Sequence, residues 1–169
     1  YGDELGVGDV PIPPDMVQDP PEINFPGLGM GRDPERTPMQ WDDSENAGFT
    51  TGKPWLPIAD DYSTRNVAVQ KDDPCSMLSY SRRLIELRQS EPAFMIGAYK
   101  PVAANPDAVT YIREIGSRRY LVALNLTHEP QELPLEMPCR ILLNTEMERE
   151  GEEVSDRLRL TADEGIVAE

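Results

Sequence analysis

The chain has 169 residues, a length suited to one folded core with an appended segment and short for two large domains. Its 31 acidic residues outweigh 16 basic ones for a formal net charge of −15, a field that repels phosphate backbones and anionic headgroups, so nucleic acid and membrane are poor partners. No apolar run approaches the roughly 20 residues that cross a bilayer, and Cys75 and Cys139 fit no CxxC or Cys/His pattern, which argues for two buried thiols in a reducing, cytoplasmic compartment over a zinc site or disulfide framework.

The first segment, Tyr1-Gly2-Asp3-Glu4-Leu5-Gly6, lacks an initiator Met and reads as the exit of a strand into a loop, with more protein expected before it. Residues 7–73 are dense in punctuation, including Pro11, Pro13, Pro14, Pro20, Pro21 and Pro26, then Gly27, Gly29 and Gly31. Proline fixes φ and removes a donor, while glycine permits positive φ, so neither a long helix nor a regular strand is expected there. Leaving Phe25, Trp41, Phe49 and Trp55 in water is costly, so this stretch reads as an ordered excursion packed on a larger body.

Asp73-Pro74 supplies a helix start signal, an acceptor at the cap followed by proline at the first helical position. Met77, Tyr80, Leu84 and Leu87 then recur along one side, widened by Leu78 and Ile85, which predicts a helix over 74–90. Glu91-Pro92 ends it.

Beyond Ala98 the apolar period becomes two, which predicts strands at 109–115, 120–126, 140–144, 157–160 and 166–168. The separating turns are Asn105-Pro106-Asp107, Gly116-Ser117, His128-Glu129-Pro130 and Asp163-Glu164-Gly165. With no helical pattern between them, the strands indicate an antiparallel sheet or sandwich. The acidic run over 146–156 is expected at an exposed hairpin end.

Candidate chemistry is sparse. Thirty-one carboxylates guarantee chance pairs, so no acid and base pair is assigned. His128 is the only histidine and is expected in an exposed turn; no metal or cofactor is expected. The glycosylation triplet Asn125-Leu126-Thr127 falls within a predicted strand. What remains is the stretch 31–42, with Arg32, Asp33, Arg36 and Trp41 among two prolines, followed by Asn46-Ala47-Gly48-Phe49. An arginine fork holds two oxygens at once, from a carboxylate or from neighbouring sugar hydroxyls. Ion pairing that pins the loop and ligand binding both remain open from the residues alone.

At these residues the chain resembles a known family. Arg32-Asp33-Pro34-Glu35-Arg36-Thr37-Pro38-Met39-Gln40-Trp41-Asp42 is similar to a signature of the α-glucosidase and oligo-1,6-glucosidase branch of the α-amylase family, with Pro34 where glycine or asparagine is common. Tyr1 to Gly6, Asn46 to Thr50, Lys53-Pro54-Trp55, Asn66-Val67, Tyr80 to Arg88 and Leu121 to Thr127 resemble other segments of it. The resemblance implies a mixed α and β fold: the last part of a (β/α)8 barrel, made of a long loop and final helix over 1–92, followed by a small antiparallel β-sandwich domain over 93–169.

It further implies a retaining hydrolase of short α-linked glucooligosaccharides whose nucleophile, acid/base and stabilising carboxylates lie upstream, so that this chain alone is inactive. Arg32 is then the substrate-binding residue, with Asp33 and Arg36 pinning the loop and Trp41 packing inside it. Two alternatives stand beside this reading. One is a catalytically inactive relative such as a transporter heavy-chain ectodomain; the other is a carbohydrate-binding β domain.

Overall fold

A computed structural model describes residues 1–102 and 106–169, and its chain divides into two compact units, Tyr1–Ser81 and Arg82–Glu169. Asn105 of the expected turn lies outside the described residues.

The first unit has little regular structure. Its helices are α1 (Pro20–Asn24) and α2 (Val67–Gln70), with short 3-10 turns at Asp3–Leu5, Pro34–Arg36 and Glu45–Gly48. The apolar cluster is small, with Leu5, Met39 and Leu78 buried and Val7 and Val67 packed against them. Polar side chains take over where apolar area is short. The Leu5 carbonyl accepts from Gln70 Nε2 at 2.9 Å, and Gln70 Oε1 accepts the Leu78 amide at 3.0 Å. Buried Asn66 caps α2 by accepting the Val69 amide at 2.9 Å.

The backbone at Trp41 is fixed, its amide donating to the Ala47 carbonyl at 2.9 Å and its carbonyl accepting from Ala68 at 2.9 Å. The indole itself is 49% exposed, so the expected packing role for Trp41 is corrected: main-chain bonds hold this residue. Phe25, Phe49 and Trp55 are also exposed within this unit. Asn46 (φ 55), Ala47 (φ 56) and Gly48 (φ 66) form a left-handed turn. A β-carbon at residue 48 would fall 2.7 Å from the Asp42 carboxylate, so a larger residue there would displace that side chain in addition to straining the positive φ.

The long helix, α3 (Met77–Ser90), starts three residues later than the sequence suggests. Asp73 spends its carboxylate on the Cys75 amide in a turn, and Ser76 provides the cap instead, its Oγ accepting the Ser79 amide at 3.1 Å. Leu78 is buried, while Met77 and Ile85 are exposed. Glu91-Pro92 ends this helix and begins another, α4 (Pro92–Ile96).

The second unit carries eight strands among its described residues: β1 (Ala98–Pro101), β2 (Ala108–Ile115), β3 (Arg118–Asn125), β4 (Gln131–Pro134), β5 (Cys139–Asn144), β6 (Glu153–Val154), β7 (Arg157–Leu160) and β8 (Gly165–Ala168). All pairings are antiparallel. One sheet has the order β1-β2-β3-β8-β5-β6, and β4 pairs with β7 in a second. Leu133, Leu158 and Leu160 of the small sheet meet Ala123, Ile141, Ile166 and Ala168 of the large one in a single buried cluster. Two sheets sharing one apolar layer make the expected sandwich.

Both thiols are free, but Cys75 is exposed and Cys139 partly so, which corrects the expectation that they are buried. Cys75 occupies the turn before α3, which is held by hydrogen bonds of Asp73 and Gln70. Asn125 is 3% exposed and its amide donates to the Glu129 and Thr161 carbonyls at 2.8 and 2.6 Å, which leaves no room for a glycan.

His128 has a side chain 92% exposed, and its ring nitrogen lies 2.9 Å from the Asp163 carboxylate, which raises its pKa above the ordinary 6.5. A raised folded value means the contact contributes fully below the unfolded pKa and is lost as pH rises through the folded one. An NMR titration of the imidazole is expected to give a midpoint above 6.5. Asp163→Asn is expected to return it toward that value, and an unmoved midpoint would rule the contact out.

Candidate functional site

The site is built around Asp19. Its side chain is fully buried, and Arg32 closes on it through Nε to Oδ2 at 3.0 Å, Nη2 to Oδ1 at 2.8 Å, and the Arg32 amide to Oδ2 at 2.8 Å. Arg36 Nη1 stands 3.7 Å from Oδ1. The Arg32 hydrogen bonds outweigh the cost of burial and hold the Asp19 carboxyl down to about 2; Asp19 in turn raises the guanidinium further above its usual value.

Asp33 faces the other way. It is 4% exposed, and its Oδ2 accepts the amides of Gln18 at 2.6 Å and Asp19 at 2.9 Å, tying the stretch before α1 to the motif. The structure therefore brings Arg32, Asp33 and Arg36 together on one short segment of backbone, residues 18 and 19. Thr37, Pro38, Met39 and Gln40 behind them are buried, and Gln40 Nε2 donates to Asp61 at 3.2 Å. The motif thus has a buried root and two exposed arginine tips.

Asp19 was not singled out from sequence. Asp19-Pro20 carries the same cap-like signal as Asp73-Pro74, and residue 19 does occupy the cap position of α1, but its carboxylate makes no capping bond and turns to Arg32 instead. Gly31 allows the close approach: a β-carbon there would fall 2.9 Å from Glu22 Cβ. Ile12, Val17, Ile23, Pro26, Asp33 and Pro34 line an adjoining cavity of about 560 Å³. Of the Arg32 guanidinium, Nε and Nη2 are engaged and the side chain remains 53% exposed, so N–H donors still face outward. Such a group offers hydrogen bonds to hydroxyls or carboxylates without first having to be ordered.

Residues 1–97 match the model of the α-amylase catalytic domain. The chain belongs to the α-amylase family. Among curated members of this family, it is 39% identical over 113 residues to an oligo-1,6-glucosidase of Parageobacillus thermoglucosidasius, an alignment covering 66% of this chain and 20% of that protein. It is 35% identical over 160 residues to a glucan 1,6-α-glucosidase of Streptococcus pneumoniae, covering 84% of this chain and 30% of that one.

Among solved structures, a trehalulose synthase soaked with trehalulose superposes with a TM-score of 0.87 at 31% identity, over 99% of this chain and 34% of that one. An α-glucosyl transfer enzyme, XgtA, gives 0.85 at 32% identity, over 99% and 31%. This α-amylase family chain therefore spans about a fifth to a third of the length of these relatives. Its fold is that of their corresponding region, mixed α and β with antiparallel sheets. Among the described residues no cluster of His, Cys, Asp or Glu is arranged to hold a metal ion, and no helix is long and apolar enough to cross a membrane.

Proposed function

We propose that this chain is the carboxyl-terminal part of an α-glucosidase-type retaining glycoside hydrolase that acts on short α-linked glucooligosaccharides. In this reading residues 1–92 complete the catalytic barrel, residues 93–169 form the β domain that follows it in sequence, and the nucleophile, acid/base and stabilising carboxylates lie upstream. The bond is broken there in two displacements, through a covalent glycosyl intermediate that water then releases. The contribution of this chain is Arg32, whose outward N–H groups donate to the hydroxyls of the glucosyl ring and steady the nearby carboxylates. Asp33 and Arg36 keep the loop that carries it in place.

The observation that carries this reading is the state of Arg32: a guanidinium clamped by a buried carboxylate yet 53% exposed. That presentation leaves donors free for a ligand. A cytoplasmic location fits the two free thiols, Cys75 and Cys139.

The test is an assay with isomaltose and an aryl α-glucoside. The intact polypeptide carrying this chain is expected to release glucose, and the 169 residues alone to give no turnover. Arg32→Lys keeps the charge and loses the fork, so kcat/KM in the intact enzyme is expected to fall at least about tenfold. Turnover by the 169 residues alone, or an Arg32→Lys enzyme with undiminished kcat/KM, overturns the reading.

A further inference from the structure

Asp19 and Arg32 share a contact, but they are treated unequally by the fold. The carboxylate is wholly buried and the cation half exposed, so the pair hides its anion and turns its cation outward.

We propose that Asp19 is a positioning residue, which grips Arg32 through two side-chain bonds and one backbone bond and so fixes the guanidinium in the orientation that receives the glucosyl ring. This rests on the reading of Arg32 given above. A free arginine side chain samples many rotamers, and a ligand that binds it must freeze them; a guanidinium already held on both Nε and Nη2 is preorganised. The grip is itself supported. Asp33 holds the amides of Gln18 and Asp19, so the backbone that carries the Asp19 carboxylate is fixed by the residue next to Arg32. Gly31, pressed against Glu22, lets the two strands of the loop come close enough for the fork to close. Burial removes water from around the carboxylate, and the Arg32 contact holds its carboxyl well below the usual carboxylate range, so the acid that grips the guanidinium is ionised near neutrality.

A double-mutant cycle in the intact enzyme separates positioning from stapling. Asp19→Asn preserves shape and removes the charge and one of the two equivalent acceptors. Asp19→Asn is expected to lower kcat/KM about tenfold, as Arg32→Lys does, while the double variant is no worse than Arg32→Lys alone within about twofold, because Asp19 acts only through the fork. Losses that multiply in the double variant overturn the proposal and leave Asp19 as a structural staple. If Asp19→Asn yields no folded enzyme, Asp19→Glu, which keeps the charge but displaces it by one methylene, goes through the same cycle with the same two outcomes. No glucose release by the wild-type polypeptide, or an Arg32→Lys enzyme equal to wild type, removes the reading of Arg32 itself and this proposal with it.

Discussion

Leu158→Ala is expected to destabilise the β unit by about 3 kcal/mol, which lowers the melting temperature of a domain this size by roughly 10 to 20 °C. Leu158 is fully buried and stands opposite Leu133 in the β4–β7 pair. An isolated two-stranded pair is marginal in water, so this small sheet depends on its apolar side, Leu133, Leu158 and Leu160, against Ile141, Ile166 and the small residues Ala123 and Ala168 of the larger sheet. Three leucines form that attachment, and truncating the central one leaves a cavity that its β-strand neighbours cannot fill by rotation. Val109→Ala, on an exposed position of β2, is the control and is expected to change stability by no more than about 0.5 kcal/mol. Urea unfolding followed by far-ultraviolet circular dichroism checks both. Equal midpoints for the two variants would show that the small sheet is held by something other than its apolar face.

The same packing explains which strands were legible in the sequence. In β2 and β3 buried residues recur at even spacing on each face, Ala108 and Ile112 on one and Tyr120 and Val122 on the other, and that spacing is what a period of two detects. In β1 all four residues are exposed, so no pattern exists to be read, and its place at the sheet edge is set by pairing with β2. A single inward residue, Leu133, marks β4, and β6 is two residues inside an acidic run. The start of α3 was misplaced for a different reason. Asp73 has the chemistry of a cap, but Gln70, arriving from the preceding helix, supplies an acceptor at Leu78 and moves the first turn to Ser76.

Within the candidate site, Arg32, Asp33 and Arg36 were legible because they lie in one short motif. Asp19 was not, because its role depends on a loop of prolines and glycines closing back on itself, and the partner preference of a carboxylate leaves no periodic trace. Trp41 shows the reverse error. An aromatic inside a motif reads as packing, whereas here its backbone bonds do the holding and its ring stays partly in water.

Glu164→Ala is expected to cost the β unit about 3 kcal/mol, as much as loss of a core leucine, although the sequence marks this residue only as part of a turn. Glu164 is 3% exposed, and its carboxylate accepts the Thr161 amide at 2.8 Å, Asn144 Nδ2 at 3.0 Å and Arg149 Nη1 at 3.0 and 3.1 Å. Asn144 in turn accepts the amides of Glu148 and Arg149, so this carboxylate helps tie the acidic connection after β5 to the turn before β8, beside the Thr145–Gly165 hydrogen bonds. Deleting it removes the acceptor of the partly buried Thr161 amide and of the buried Asn144 side-chain N–H, and leaves Arg149 with Glu152 alone among its carboxylate partners.

Burial pushes the Glu164 carboxyl up, but the Thr161 amide, Arg149 and Asn144 together bring it below the ordinary 4.5. A depressed folded value places the stabilisation above the unfolded pKa and removes it as pH falls through the folded one. Glu164→Gln keeps the shape and cannot ionise, so its stability deficit relative to wild type is expected to be constant near neutrality and to shrink below about pH 4.5. A deficit that stays the same down to pH 3 would mean that the lost acceptor oxygen, and not the charge, accounts for the effect.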